Sequence, residues 1–253
     1  MIADLETLND TQAAAVRHAN GPCLIFAGAG SGKTRVLTHR IAYLLHELEV
    51  FPDRILSVTF TNKAAGEMKS RLERMVGDAA RDLWVGTFHS MCVRILRRDG
   101  RKIGISSNFA IIDDTDQRAL IRDILADLDY DERQLTPGAC LAEISKAKNA
   151  LQSPDQYLEK HASFIGERYG NVYNEYERRL TESNSLDFDD LIGKTIKLFE
   201  EDKEVRTRYQ NKFRYVLVDE YQDVNFAQYK LLTLFAAEHK NITVVGDDDQ
   251  SIY

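Results

Sequence analysis

The sequence predicts an α/β fold, a doubly wound parallel sheet into which a largely helical segment is inserted. Short, continuous runs of apolar and β-branched residues recur along the chain, which is typical of strands covered on both faces. After the first run and again after the second, apolar residues fall at every third or fourth position, as in amphipathic helices. The middle of the chain shows helical spacing almost alone, and strand character then returns. This order indicates a continuous α/β core interrupted by helices.

Five apolar runs are candidate strands, and each ends in small or polar residues. They are residues 23–28 (CLIFAG), 55–61 (ILSVTFT), 83–89 (LWVGTFH), 215–220 (YVLVDE) and 242–247 (ITVVGD). Ligands of open parallel sheets collect at the carboxyl ends of the strands.

Helical stripes fill the intervals between the runs. The stripe Leu37, Ile41, Leu44, Leu45 and Leu48 follows the first run, and Ala64, Met68, Leu72 and Met75 follow the second. The inserted segment carries the stripes Leu120, Ile121, Ile124, Leu125 and Leu128, then Val172, Tyr173, Tyr176 and Leu180, then Leu191, Ile192, Ile196 and Phe199. We therefore expect a discontinuous core of residues 1–90 and 200–253 and a helical subdomain of residues 91–199.

Composition is that of a water-soluble globular protein. The 253 residues are 43% hydrophobic and 29% charged, with a formal net charge of −7. This acidic total argues against a surface basic all over, but it is compatible with a locally basic groove. Three separated cysteines without a CxxC pair predict neither a zinc site nor a disulfide framework. With no membrane-spanning run and no signal peptide visible, we expect a cytoplasmic protein.

The segment AGAGSGKT, residues 27–34, predicts a phosphate-binding loop between the first strand and the first long helix. Its glycines allow successive backbone amides to face phosphate oxygens, and the helix adds its positive N-terminal end. Lys33 is expected to neutralise the terminal phosphates, and the Thr34 hydroxyl is expected to bind Mg²⁺. The predicted nucleotide-binding residues of the loop are Gly28, Ala29, Gly30, Ser31, Gly32, Lys33 and Thr34.

An acidic pair ends the fourth apolar run. Asp219 is expected to hold the Mg²⁺ with Thr34, and Glu220 is expected to polarise the attacking water as general base. The alternative is that these acids only favour the first turn of a helix near Tyr221. A GTPase is disfavoured, because the nearest match to an NKxD element, at residues 62–65, lacks the aspartate.

Seven blocks, in order along the chain, resemble the N-terminal half of UvrD/Rep/PcrA-type superfamily 1 DNA helicases. They are LNDTQ (8–12), AGAGSGKT (27–34), TFTNKAAGEM (59–68), GTFHS (86–90), LDFDDLI (186–192), VLVDEYQD (216–223) and VVGDDDQSIY (244–253). The resemblance implies a RecA-like ATP-binding core, ATP and Mg²⁺ as cofactors, and a role in DNA repair or replication. It implies that Gln12 reads the adenine edge, that Arg35 lies beside the nucleotide, and that Gln250 senses the terminal phosphate.

The same resemblance implies a site for single-stranded DNA, or for junctions of single and double strands. The matching positions are Phe60, Thr61, Asn62, His89, Phe188 and Tyr253. Aromatic rings can stack on bases, and hydroxyl, amide and imidazole groups can bind phosphates. Phe60 and Phe188 could equally be core residues, and His89 could be a structural histidine.

Members of this family continue into a second RecA-like lobe, which supplies arginines to the γ-phosphate. We therefore expect this chain to bind ATP and DNA, to hydrolyse ATP slowly, and to need the C-terminal lobe for unwinding. Two other functions stay open: a nucleotide-switched binding module without productive hydrolysis, and a small-molecule kinase. The kinase is disfavoured by Glu220 beside Asp219.

Overall fold

The computed structural model describes residues 7–28, 32–131 and 133–247. The chain divides into two compact units. The first comprises Met1–Met91, Asp202–Val224 and Gln228–Tyr253. The second comprises Cys92–Glu201 and Asn225–Ala227.

The strands of the described residues form one five-stranded sheet and one strand pair. In chain order they are β1 (Cys23–Phe26), β2 (Ile55–Thr59), β3 (Trp84–Thr87), β4 (Ala110–Ile111), β5 (Ser185–Leu186), β6 (Tyr215–Val218) and β7 (Ile242–Gly246). The sheet of the first unit has the order β1-β7-β6-β2-β3, and all its pairs are parallel. The carboxyl ends of all five strands therefore lie at one edge.

Helices fill the intervals between the strands, and several of them begin at a side-chain N-cap. They are α1 (Asp10–Arg17), α2 (Lys33–His46), α3 (Asn62–Val76), α4 (Phe88–Asp99), α5 (Asp114–Asp127), α6 (Pro137–Asn149), α7 (Pro154–Lys160), α8 (Phe164–Glu182), α9 (Phe188–Glu201), α10 (Lys203–Lys212) and α11 (Phe226–Ala236). Asn9 caps α1 in a reciprocal box with Gln12, and the Thr61 hydroxyl accepts from Ala64 N to cap α3.

The core of the first unit joins the sheet to α2 and α3. Their apolar stripes pack with residues of the strands into one buried cluster: Leu37, Ile41, Leu44, Ile55, Met68, Leu72, Leu83, Val85, Leu217 and Val245. Burial of this surface fixes α2 against the sheet, and with it the first turn of α2 at the carboxyl edge.

The second unit has a separate core built from α5, α6, α7 and α8. Its buried cluster includes Ile121, Ile124, Val172, Tyr173, Tyr176 and Leu180. The parallel pair β4-β5 is the strand structure of this unit among the described residues. No described helix is long and apolar enough to cross a membrane.

The predicted fold class is confirmed. The parallel sheet takes its strands from the parts of the chain before and after a mainly helical segment, with α-helices between them. The strands are shorter than the predicted runs, because their last residues leave the ladder to form loops and caps. Thr61, for example, ends the second run but is the N-cap of α3. Leu48 lies beyond the end of α2 at His46 and is 37% exposed, so it is not part of the buried stripe.

The short element after the acidic pair is a 3-10 turn, Tyr221–Asp223, and not the start of a longer helix. Glu220 precedes it in the left-handed region, with φ 52° and ψ 46°. An α-helix cannot continue through this backbone conformation, so the two acids are not simply the first turn of a helix.

Candidate functional site

The candidate phosphate loop enters α2 through Gly32. This residue has φ 88°, a left-handed conformation that favours glycine, and it is the N-cap of α2. Lys33 and Thr34 follow as the first two residues of the helix, so their side chains and the N-terminal amides of α2 share one end. Gly28 is exposed, and Ala27 N donates to Gly246 O at 3.1 Å beside it. Three further predicted loop residues lie outside the described residues: Ala29, Gly30 and Ser31.

Thr34 and Asp219 are brought together from distant parts of the chain. The Thr34 hydroxyl donates to Asp219 Oδ2 at 2.9 Å, and Asp219 Oδ1 accepts from Glu220 N at 3.0 Å. Asp219 is 3% exposed and directly follows β6, where its N–H donates to Val58 O at 3.0 Å. Burial raises the pKa of Asp219, and the Thr34 hydroxyl partly opposes that shift.

This hydroxyl and carboxylate have the chemistry that a magnesium ion requires. Mg²⁺ prefers oxygen ligands and commonly takes one or two from protein, with the remainder from water and phosphate. Among the described residues there is no cluster of three or more His, Cys, Asp or Glu side chains able to hold a metal ion. The pair therefore fits an ion that takes its remaining ligands from phosphate and water.

Lys33 occupies the space between two carboxylates. Its Nζ lies 2.9 Å from Asp247 Oδ2 and 3.9 Å from Glu220 Oε2. The Lys33 side chain is 9% exposed and that of Asp247 is 1% exposed, whereas the Glu220 side chain is 40% exposed. The Lys33 ammonium therefore has a buried carboxylate on one side and a half-exposed carboxylate on the other, so an anion that replaced Asp247 at Nζ would need a further cation to offset the nearby acids.

Gln222 connects the two acids that flank Lys33. Its Nε2 donates to Glu220 Oε2 at 2.8 Å, and its Oε1 accepts from Asp247 N at 3.0 Å. The left-handed backbone of Glu220 and this bond together fix the direction of the Glu220 carboxylate. The half-exposed Glu220 carboxylate is therefore held in one orientation. A group that aligns a water molecule for attack needs such a fixed orientation.

A cavity of about 640 Å³ lies beside the phosphate loop, walled by α1 and β1. Gln12, His18 and Lys33 contribute to its wall. The Gln12 Oε1 accepts from Asn9 N at 3.1 Å, and its Nε2 lies 3.5 Å from where a Cβ on Gly32 would be. The amide thus sits between the cavity and the phosphate loop.

Arg35 is exposed, and its Nη2 donates to Thr7 O at 3.1 Å and contacts the Thr7 hydroxyl. This guanidinium is tied to the segment that precedes α1. Arg35 Cβ lies 3.7 Å from where a Cβ on Gly32 would be, so Arg35 and the Gln12 amide both adjoin the end of α2 that carries Lys33.

Four predicted DNA contacts follow two adjacent strands. Phe60, Thr61 and Asn62 come after β2, and His89 is the second residue of α4, after β3. Because β2 and β3 pair in parallel, these residues lie at the carboxyl edge. The Phe60 ring is half-buried, and it packs edge-on against Phe88 with centroids 5.7 Å apart. Phe60 lies outside the strand, which ends at Thr59.

Phe188 belongs to the second unit, as the first residue of α9, and is 50% exposed. It is therefore not a core residue. The two remaining predicted residues, Gln250 and Tyr253, lie outside the described residues.

Comparison with known protein families decides the relationship. A model of the UvrD/REP helicase N-terminal domain matches residues 8–253. The chain belongs to the UvrD/REP helicase N-terminal domain family. Among similar proteins are the ATP-dependent DNA helicases PcrA of Staphylococcus epidermidis strain RP62A and of Staphylococcus aureus strain Mu50, each 53% identical over all 253 residues. The chain spans 35% of the length of these relatives and is homologous to their N-terminal part.

Within this UvrD/REP domain, sequence reasoning missed two residues of the site. Asp247 pairs with Lys33, and Gln222 orients Glu220. Asp247 could have been found, because it ends the β7 run at the same sheet edge as the acidic pair. Gln222 gave no comparable signal, because a glutamine in a polar segment is ordinary until the turn at Glu220 is known.

Replacing Lys33 by alanine is expected to lower nucleotide affinity by roughly 100-fold or more, because it removes the cation and leaves Asp247 buried without this partner. Titration with a fluorescent ATP analogue in the presence of Mg²⁺ measures the change. Lys69→Ala, an exposed lysine on α3, is the matched control and should bind as the parent does. Unchanged affinity in Lys33→Ala would remove Lys33 from the site.

Replacing Asp219 by asparagine is expected to remove the cost of burying this charge, to lose one of the two hydrogen bonds that the carboxylate accepts, and to weaken Mg²⁺-dependent nucleotide binding. Because the folded pKa of Asp219 is raised, its ionised form is disfavoured by folding, and this penalty appears as pH rises above the unfolded value near ~3.9. The unfolding free energy of Asp219→Asn relative to the parent should therefore be higher at pH 7.5 than at pH 4, in urea unfolding. A relative free energy that rises toward acid pH would contradict this account.

Proposed function

We propose that this chain is the ATP-binding and single-stranded-DNA-binding part of an ATP-dependent DNA helicase or translocase. The observation that carries the proposal is the meeting of Lys33, Thr34, Asp219, Glu220 and Asp247 at one end of α2. A cation, a hydroxyl and acids at a helix N-terminus suit a magnesium-bound nucleoside triphosphate. The relatives named above are ATP-dependent DNA helicases, which supports ATP as the nucleotide.

In this proposal Lys33 exchanges Asp247 for the terminal phosphates. Thr34 and Asp219 would hold Mg²⁺, and the bound ion would neutralise charge on the phosphates. Glu220 accepts the proton of the attacking water, and its hydrogen bond from Gln222 keeps the carboxylate aimed during the transfer. On family resemblance alone, Gln250 is included in the proposal as the residue that senses the terminal phosphate.

The cavity between α1 and β1 is the proposed nucleobase site. It adjoins the Lys33 end of α2, and the Gln12 amide on its wall carries both a donor and an acceptor, as recognition of an adenine edge requires. To reach a base, the amide would have to release its bond to Asn9 N. Arg35, whose Cβ lies beside Gly32 as the Gln12 amide does, is the proposed second neighbour of the nucleotide.

Single-stranded DNA is the proposed substrate of the residues after β2 and β3 and of Phe188. The half-exposed Phe188 ring suits stacking on a base. Thr61 and Asn62 begin α3, where a positive helix end and polar side chains suit a phosphate. We include His89 and Tyr253 in this set on family resemblance, and we place the protein in DNA repair or replication.

The proposed activity of this chain alone is weak. The relatives are almost three times as long, since the chain covers 35% of them, and the family's second lobe is proposed to supply arginines to the γ-phosphate. Such an arginine is worth ~10³ to 10⁵ in rate. We therefore propose that the chain requires a C-terminal helicase lobe as partner for unwinding.

The proposed function is tested by measuring ligand binding and phosphate release on the same preparation. A labelled ATP analogue and fluorescein-labelled (dT)16 should both bind in the presence of Mg²⁺, while phosphate release should be slow and rise when the oligonucleotide is added. Lys33→Ala should lose the nucleotide and retain the oligonucleotide. A folded chain that binds neither ligand would overturn the proposal. Binding of both with hydrolysis indifferent to DNA, even after a C-terminal lobe is supplied, would favour a nucleotide-switched binding module.

Replacing Glu220 by glutamine should leave ATP affinity within about twofold and slow phosphate release by ~10²-fold or more, because the general base is lost. The measurement is phosphate release with the chain in excess over ATP, which does not depend on fast product release. Glu238→Gln changes an exposed acid of the same unit and serves as the control. Retained hydrolysis in Glu220→Gln would assign the base to another group.

A further inference from the structure

Phe188 is an exposed aromatic residue in a turn whose flanking aspartates are buried. Phe188 is 50% exposed, whereas Asp187 and Asp190 on either side of it are 3% and 4% exposed. Phenylalanine is ordinarily inside and aspartate outside, so the usual distribution is reversed over these four residues. A reversal of this kind needs specific partners for the buried acids.

The two buried acids first hold each other. Asp190 N donates to Asp187 Oδ1 at 2.8 Å, and Asp187 N donates to Asp190 Oδ2 at 3.2 Å. These reciprocal bonds close the first turn of α9 around Phe188 and satisfy amides that the helix leaves without partners. The backbone on both sides of the ring is thereby fixed.

The carboxylate of Asp187 is held from two other helices. Its Oδ2 accepts from Lys148 Nζ at 2.7 Å and from the Tyr176 hydroxyl at 3.0 Å. Lys148 Nζ also lies 3.0 Å from Asp190 Oδ1 and 2.5 Å from Glu177 Oε1. Burial alone would lower the pKa of Lys148, but these carboxylates raise it, so the ammonium stays charged.

Asp189 is held on the other side of the turn. Its Oδ1 accepts from Asn149 Nδ2 at 2.9 Å, and Asn149 Oδ1 in turn accepts from Asn225 Nδ2 at 2.6 Å. Asn149 Nδ2 also donates to Ser145 O at 2.9 Å, which fixes the amide to its own helix, α6. The residues before and after Phe188 are therefore both anchored by polar side chains.

Stability alone is a weak reason for such an arrangement. Well-packed apolar residues of similar volume often stabilise a core as well as, or better than, a buried ion cluster does. What the cluster provides is one defined geometry, because each charge requires its partner in place. The residue whose position it defines is the half-exposed Phe188.

We propose that Asn149 and Tyr176 are positioning residues that hold the turn Asp187–Asp190, so that Phe188 presents a preorganised stacking surface to a base of single-stranded DNA. The proposal rests on the proposed function, which assigns DNA to Phe188. An aromatic ring that is already fixed loses less conformational freedom on stacking, and this lowers the cost of binding.

The test uses the double variant Asn149→Ala/Tyr176→Phe, which removes the hydrogen bonds to Asp189 and Asp187 while Lys148 and the acids stay. It also removes the bonds of the same side chains to Ser145, Asn225 and Gln117. The control is Asn171→Ala/Tyr130→Phe, which removes the 3.1 Å bond from Asn171 Nδ2 to the Tyr130 hydroxyl in the same unit. Affinity for fluorescein-labelled (dT)16 is measured by anisotropy, and folding by urea unfolding. We expect a loss of roughly threefold to tenfold for the test pair and of less than twofold for the control, against a loss of ~10-fold for Phe188→Ala.

Repeating the test pair in a Phe188→Ala background separates positioning from a structural role. If the pair acts through the ring, it should change affinity by less than about twofold there. An equal loss in both backgrounds, or a loss no greater than that of the control, would overturn the inference. If the double variant does not fold, Tyr176→Phe alone, which removes only a hydroxyl, is put through the same cycle.

Failure of the proposed function gives a different result. A folded parent chain that does not bind (dT)16 removes the DNA assignment and this inference with it. If the parent binds (dT)16 and Phe188→Ala keeps full affinity, the DNA assignment of the chain stands. The inference that Phe188 presents a stacking surface is then overturned.

Discussion

Two carboxylates, Asp219 and Asp247, are buried at the carboxyl edge of the sheet, at 3% and 1% exposure. Carboxylates in such places destabilise a fold unless hydrogen bonds and a counter-charge offset the loss of water. Here the first two residues of α2 provide both, because Lys33 pairs with Asp247 and Thr34 donates to Asp219. This match ties the first turn of α2, which apolar burial has placed at the carboxyl edge, to the ends of β6 and β7. In the proposed function, Lys33 exchanges its carboxylate partner for phosphate, and Thr34 and Asp219 take a cation between them.

The strand order explains how residues so distant in sequence meet. β7 lies between β1 and β6, so the phosphate loop after β1, the acidic pair after β6 and Asp247 after β7 emerge side by side. Parallel pairing places all these strand ends at one edge. The left-handed backbone at Glu220 then turns its side chain toward Lys33 instead of continuing into a helix.

Much of this could be predicted from sequence, because the informative residues are local. The phosphate loop and acidic pair each occupy a few consecutive positions at the end of an apolar run, and continuous apolarity identified all five strands of the main sheet. The bond from Gln222 to Glu220 could not be predicted, since it depends on one unusual φ angle. The ion cluster around Lys148 could not be predicted from the sequence either. Its members come from α6, α8 and the start of α9, and they show no spacing pattern. Phe188 was left open between core and surface, and only the structure shows its exposure.

The central claim is that Lys33, Thr34 and Asp219 form one site for nucleotide and magnesium together. Thermal unfolding with ATP, measured with Mg²⁺ and again with excess EDTA, tests it directly. A ligand that binds only the folded chain stabilises it by about 2.7 kcal/mol at a hundredfold excess over its dissociation constant. The account predicts a marked rise in melting temperature with ATP and Mg²⁺, most of it lost in EDTA and in Asp219→Asn. An equal rise with and without Mg²⁺, or no rise with ATP at all, would contradict it.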